Sequence, residues 1–260
     1  VLRVLLNGIA ISTRYNDLAD TCLNGVTATW GNLPMAKNAD ETADQRKARR
    51  RAERNLRHAH ANGLMQGILS LLRPGDVVFD CGANVGDVTA RLAQTGAEVH
   101  AFEPDPYAFG VLSRRFSDAD NVTLYQAAVG VTPGKVRLLR AVNFDDNPKG
   151  GSVKSTILTG GRNINDDAAG GIEVDMISLP DRIRELQAGG QKIVFLKMDI
   201  EGAELELLEY MHAHQLFEAI DLTVAETHEH KFKALRSRFK KLRQEISDIY
   251  PVTKVNLDWI

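Results

Sequence analysis

Short apolar runs alternate with amphipathic stretches from residue 77 onward, and this rhythm predicts the fold. Val77, Val78 and Phe79 close on Asp80, as a buried parallel strand does. A small-residue turn follows, Cys81-Gly82-Ala83-Asn84-Val85-Gly86. Val85, Val88, Leu92 and Ala93 then recur at helical spacing, with Gly96 as the stop. Residues 98–103 read as a second strand. Asp105 is placed to cap the next helix, with Pro106 at its first position, where a missing N–H costs nothing. Phe109, Leu112 and Phe116 form the buried face of that helix, and residues 122–125 read as a third strand running on into 126–130. The order β-α-β-α-β predicts an α/β fold with a doubly wound, mostly parallel sheet.

The second half keeps the rhythm after an interruption. Residues 135–140 look like a strand, and a polar stretch, 143–171, carries Gly150-Gly151, Gly160-Gly161 and Gly170-Gly171. A long glycine-rich stretch of this kind is either a lid beside a site or a surface insertion. Ile172, Val174 and Met176 alternate with acids as in a half-exposed strand, and residues 179–186 read as a short helix. Residues 193–199 form another buried run ending in a carboxylate, Asp199. A turn through Glu201 and Gly202 leads into a helix with Leu205, Leu208 and Met211 inward. Residues 221–226 read as a fifth strand, followed by Thr227-His228-Glu229-His230. Phe232, Leu235, Phe239, Leu242 and Ile246 line the last helix, and residues 252–259 suit a closing strand. Upstream, residues 1–35 read as irregular and 40–72 as helical, the later part packing on the sheet through Met65, Ile68, Leu69 and Leu72. The expected division is an extension over 1–60 and an α/β domain over 61–260.

Charge changes this picture little. The net charge of −2 supplies no global field for nucleic acid, so any such contact must be local. Arg46, Lys47, Arg49, Arg50, Arg51, Arg54 and Arg57 form a basic run, read as a solvated helix face. No aromatic residue lies between Trp30 and Phe79, so no stacking platform accompanies it, which argues against a nucleic-acid partner. Cys22 and Cys81 allow neither a disulfide framework nor a CxxC site, which fits a reducing, cytoplasmic setting. No stretch approaches the roughly 18 apolar residues of a membrane span. A chain that opens on Val1 leaves room for an upstream segment.

The glycine turn limits the ligand. A dinucleotide turn needs Gly-x-Gly-x-x-Gly, and here only Gly82 and Gly86 are present; a phosphate loop ending in Gly-Lys-Ser/Thr is absent too. Asp80 at the strand end suits a cationic ligand, and S-adenosylmethionine has an amino group, a sulfonium and no phosphate. The other reading is a sharp turn of any α/β domain. Glu103 ends the second strand at about the spacing from which an acid reaches ribose hydroxyls. Asp199, Glu201, Glu226, His228 and Glu229 sit at later strand ends as possible bases, and His228 suits one titrating near neutrality. Asp199, Glu226 and His228 could also hold Mg²⁺, but three such residues in a sequence do not make a metal site, and none is assigned.

With these pieces placed, the chain resembles the class I S-adenosylmethionine-dependent methyltransferases, and within them the FkbM family. The resemblance rests on Phe79-Asp80-Cys81-Gly82-Ala83-Asn84-Val85-Gly86, on Phe102-Glu103-Pro104, and on Leu196-Lys197-Met198-Asp199-Ile200-Glu201-Gly202-Ala203-Glu204. It implies a Rossmann-like, seven-stranded sheet with one antiparallel strand near an edge. It implies O-methylation of a hydroxyl on a small molecule, natural product or sugar. It puts Asp80, Gly82, Ala83, Asn84 and Gly86 around the methionine part of S-adenosylmethionine, Glu103 and Pro104 at the ribose, and Gln126 and Ala127 near the adenine. Asp199 would face the transferring methyl, with His228 and Glu201 as further catalytic candidates. Two competing readings stand beside it. An NAD-dependent dehydrogenase is opposed by the missing middle glycine. A nucleic-acid-binding or nucleic-acid-methylating module would use the two basic helices, but the Asn-Pro-Pro-Tyr/Phe signature of base methylation is absent.

Overall fold

The computed structural model describes residues 41–161, 164–165 and 171–259. The expectations for residues 1–35 and for Gly170 fall outside them. Residues His58–Ile260 form one compact unit, and residues 41–57 belong to another. The helical stretch is one continuous helix, α1 (Ala43–Leu71). In residues 41–57, Arg49 donates to Glu41 at 2.9 Å and to Glu53 at 2.7 Å, while Arg46, Lys47, Arg50, Arg51, Arg54 and Arg57 are exposed. Solvated charge and one buffered arginine are what the basic run amounts to there. Further along, Ala61, Met65 and Ile68 make a buried stripe that packs with Leu72, Val78, Leu92 and Trp259.

The main sheet has six strands in the order β3-β2-β1-β7-β8-β9, every neighbouring pair parallel. They are β1 (Val77–Cys81), β2 (Glu98–Phe102), β3 (Val122–Tyr125), β7 (Ile193–Met198), β8 (Ile220–Ala225) and the short β9 (Val255–Asn256). Central β1 is buried at all five positions because helices cover both faces. Val78 points into the cluster with α1, α2 (Asp87–Ala93) and α3 (Pro106–Arg115). Phe79 points into the opposite cluster, with α5 (Leu179–Ala188), α6 (Glu204–Ala213) and α7 (Arg236–Ile249). Asp105 caps α3 as its sequence predicts, accepting from the Tyr107 and Ala108 amides.

The expected antiparallel edge strand lies elsewhere. The run 122–130 breaks at Gln126, and β4 (Ala127–Gly130) leaves the main sheet for a small one ordered β4-β6-β5. There β6 (Ile172–Ser178) pairs parallel with β4 and antiparallel with β5 (Gly134–Leu138). The polar stretch after it is not bare loop. Asn147 caps α4 (Pro148–Ser152) with Pro148 in its first turn, and Leu139 bridges to Thr156. Among the described residues, no helix is long and apolar enough to cross a membrane.

A buried ion pair ties the two central strands together. Lys197 on β7 is 4% exposed and reaches Asp80 on β1 at 3.1 Å; Asp80 is wholly buried and also accepts from Thr89 at 2.7 Å. Burial opposes the charge on Lys197, but the carboxylates of Asp80 and Asp199 outweigh it and hold the ammonium above its ordinary pKa. Lys197→Met should strand Asp80 and cost about 3–5 kcal/mol of stability in urea unfolding. Combining it with Asp80→Asn should recover most of that loss; an equal loss in both variants would mean the pair is not its source.

Candidate functional site

The parallel register carries four strand ends to one line. Cys81 pairs with Phe102 and with Met198, and Met198 pairs with Ala225. The next residues are Gly82, Glu103, Asp199 and Glu226. Their amides extend the ladder: Gly82 donates to Phe102, Glu103 to Tyr125, Asp199 to Cys81 and Glu226 to Met198, all at 2.9–3.0 Å. The strand order reverses between β2-β1 and β7-β8, which is where open α/β sheets bind ligands. A cavity of about 430 Å³ opens there. Gly82, Asn84, Glu103 and Pro104 line one side, residues 127–129 and 152–157 a second, and Asp199, Glu201 and Glu226 an acidic end. A smaller cavity of about 180 Å³ shares Lys154, Thr156, Glu201 and Lys231 with it and adds Ile164, His230 and Phe232.

The turn after β1 is shaped by close approach. Gly82 has φ +80°, and a Cβ there would lie 1.8 Å from the Asp199 carbonyl oxygen, so only glycine fits. Its own carbonyl accepts from Lys197 Nζ at 2.8 Å. Asn84, also left-handed at φ +49°, donates its amide to Glu103 Oε2 at 2.8 Å and its side chain to Ser152 at 3.3 Å. Glu103 Oε1 accepts from the Asp105 amide at 2.8 Å. Glu103 is only 5% exposed, and burial, against those two amides, pushes its pKa up to about 7.

The acidic end is built by the turn after β7. Glu201 is left-handed at φ +58°, and Gly202 at φ +106° lies under the Phe232 ring, which a Cβ would strike. Glu201 pairs with Lys231. Buried Glu204, at the start of α6, meets His228 Nδ1 at 2.5 Å. His228 is 1% exposed; its Nε2 faces Glu226 at 3.6 Å, Glu201 at 3.7 Å and Asp199 at 3.8 Å. Burial lowers the imidazole's basicity, but the Glu204 hydrogen bond and the fields of Glu204 and Glu201 prevail and raise its pKa to about 9. Burial, then Asp199, raise Glu226 to about 7.

Of the residues singled out in the sequence, Gly82, Asn84, Glu103, Pro104, Ala127, Asp199 and Glu201 line the cavity. Five others stand elsewhere. Asp80 turns into the sheet toward Lys197 and Thr89, so its carboxylate does not offer itself to a ligand. Ala83 is buried in the helix-packing cluster. Gly86 is required by α3, since a Cβ would sit 2.6 Å from Phe116 and 2.7 Å from Leu112. Gln126 is exposed at the break between β3 and β4. His228 lies behind the acids, outside the cavity lining, where the Glu204 hydrogen bond raises its pKa to about 9. Lys197 went unrecognised as a site residue, although a lysine inside an apolar strand is costly without a partner and so was visible. The wall around Ser152, Lys154 and Thr156 left no comparable signal, because it is assembled by long-range pairing.

The chain matches the family described as Methyltransferase FkbM domain over residues 80–249. It is 26% identical over 202 residues to methyltransferase sdnD of Sordaria araneosa, covering 70% of this chain and 76% of that one. It is 34% identical over 159 residues to 31-O-demethyl-FK506 methyltransferase FkbM of Streptomyces tacrolimicus, covering 53% and 60%. With 2-O-methyltransferase NoeI of Sinorhizobium fredii it shares 28% over 148 residues, 54% and 60% of the two chains. The matches to the last two thus span well under two thirds of those relatives' lengths.

The buried acid sets a pH dependence. Glu103 titrates higher in the folded chain than in the unfolded one, so the folded state holds an extra proton between about pH 4.5 and 7. Its contribution therefore falls as pH rises through that window. Glu103→Gln, which mimics the protonated form, should be about as stable as wild type at pH 4.5 and more stable by about 3 kcal/mol at pH 7.5 in the cofactor-free protein. Urea unfolding at the two pH values measures this, and a constant difference would contradict it.

Proposed function

The chain belongs to the FkbM methyltransferase family, and on that premise we propose that it moves the methyl group of S-adenosylmethionine to a hydroxyl oxygen of a small molecule or saccharide. The observation that carries this reading is the line of strand ends bearing Gly82, Glu103, Asp199 and Glu226 along one cavity. The donor set fits the cofactor. Among the charged lining residues, four acids (Glu103, Asp199, Glu201, Glu226) outnumber two lysines (Lys154, Lys231), and an amino group, a sulfonium and a ribose diol suit carboxylates better than a pyrophosphate does. This same chemistry disfavours a dinucleotide.

Glu103 would hold the ribose hydroxyls, its two oxygens already oriented by the Asn84 and Asp105 amides. Gly82 and Asn84 would bound the methionine part, and Ala127, Ala128 and Val129 give an apolar wall for the base. Bound there, S-adenosylmethionine supplies an electrophilic methyl carbon on a sulfonium. The residues of this chain would align the acceptor with it, for which in-line approach to about 3–3.5 Å is needed. The smaller cavity supports an acceptor site, because it shares Lys154, Thr156, Glu201 and Lys231 with the larger one. Asp199, Glu201 and Glu226 would line the path by which the hydroxyl loses its proton, with His228 positioning them from behind. The O-methylating relatives named above support an oxygen acceptor.

S-adenosylhomocysteine should raise the melting temperature by mass action, and NAD should not. Glu103→Ala should weaken S-adenosylhomocysteine by about 1.5–3 kcal/mol in calorimetry. With ¹³C-methyl-labelled cofactor and hydroxylated acceptors, the product's methyl shift should be that of an ether. Unchanged affinity in the Glu103 variant, or amine-type methyl signals alone, would overturn the respective part.

A further inference from the structure

The acidic end of the cavity holds a feature that methyl transfer does not by itself require. Asp199 Oδ1, Glu226 Oε1 and His228 Nε2 converge from the ends of two neighbouring strands, with one ligand-type atom from each residue lying within 4.8 Å of the others. The spacing around the imidazole nitrogen, 3.6 Å to Glu226 and 3.8 Å to Asp199, is too long for a hydrogen bond. It is close to the separation of two atoms that share a small cation. An octahedral ion about 2.1 Å from its ligands holds them roughly 3–4.2 Å apart, and 3.6 and 3.8 Å fall in that range.

Three further details single out these atoms. His228 is 1% exposed, and its Nε2 faces the carboxylates of Asp199, Glu201 and Glu226 at 3.6–3.8 Å. Its other nitrogen is held at 2.5 Å by Glu204, the carboxylate–histidine arrangement that fixes the ring and tautomer of a metal-bound imidazole. Nearby cations are already engaged on other oxygens: Lys231 on Glu201, and Lys197 on Asp80, on the Gly82 carbonyl and on Asp199 Oδ2 at 3.7 Å. Among the described residues, Glu226 has no lysine or arginine within ion-pair distance; His228 is its one ion-pair neighbour. Glu201 is thereby set aside, leaving Asp199, Glu226 and His228.

We propose that Asp199, Glu226 and His228 bind a divalent cation of the Mn²⁺ or Mg²⁺ class at the acidic end of the cavity, where it takes a hydroxyl oxygen of the acceptor as a further ligand. The second half of this statement rests on the methyl-transfer reading; the cation site does not. Two carboxylates with one imidazole suit Mn²⁺ better than Ca²⁺, which prefers oxygen alone.

Chelator-treated full-length protein titrated with Mn²⁺ alone, followed by the electron paramagnetic resonance signal of the free ion, tests the site without any turnover. One saturable equivalent is expected, with Mg²⁺ in excess displacing it. Glu226→Gln and His228→Gln should each weaken it at least tenfold, and Glu204→Gln by about 10–100-fold through the orienting bond. Lys192→Gln, an exposed lysine at the other end of β7, should leave it unchanged. Circular dichroism and S-adenosylhomocysteine binding check that each variant is folded, and they also keep the cofactor reading separate. Absence of saturable binding by folded wild type, or undiminished binding in folded Glu226→Gln, would overturn the proposal.

Discussion

Everything at the ligand end of this molecule depends on one ammonium group inside the sheet. Lys197 touches Asp80 on the neighbouring strand, the carbonyl of Gly82 and, farther off, Asp199. In water such contacts are worth little. In a wholly buried setting each missing partner would leave an uncompensated charge, so the pair must be complete or absent. Its geometry therefore locks β1 to β7 at the point where their chains leave the sheet. Gly82 completes that lock from the backbone side, since Asp199 packs against it as closely as a hydrogen atom permits.

With the central strands fixed, the rest of the site follows from register. Parallel strands that stop in step deliver consecutive side chains to one edge, and here those side chains are mostly acids. Burying carboxylates has a cost, visible in the raised pKa values of Glu103 and Glu226, to the second of which neighbouring Asp199 adds. Part of that cost is offset within the protein. Amides of Asn84 and Asp105 serve Glu103, Lys231 serves Glu201, and His228 serves Glu204. What is left over is an excess of carboxylates over lysines along the cavity.

Much of the fold was legible because it is local. Runs such as 77–80 and 193–199 carry their burial in their own composition, and Asp105 with Pro106 announces a helix start in two letters. The site was legible where a residue's position on a strand end decides its fate, as for Glu103 and Asp199. It was misleading where two neighbours compete for one carboxylate: nothing around Asp80 in the sequence says that Lys197, 117 positions later, will occupy it. The bond between His228 and Glu204 was hidden for the same reason, since Glu204 reaches it from another element. Gly86 shows a third case, a glycine of the expected turn that packing against Phe116 and Leu112 already requires. The break at Gln126 was hidden because both flanking segments are equally strand-like.

Asp105 joins the two parts of the cavity. It caps α3 behind Glu103, and its carboxylate also accepts from Arg140 at 2.9 Å and from Ser155 at 3.3 Å. The wall of residues 152–157 thus hangs from the scaffold through a few polar bonds and is otherwise carried by the small sheet, not the large one. Mutation can reshape such a wall without disturbing the buried lysine or the row of strand ends. On the function proposed above, selection for new acceptors would act on a part that is inexpensive to alter, and the grip on the methyl donor would be inherited intact. Enzymes built this way can diversify in what they modify while their chemistry stays constant.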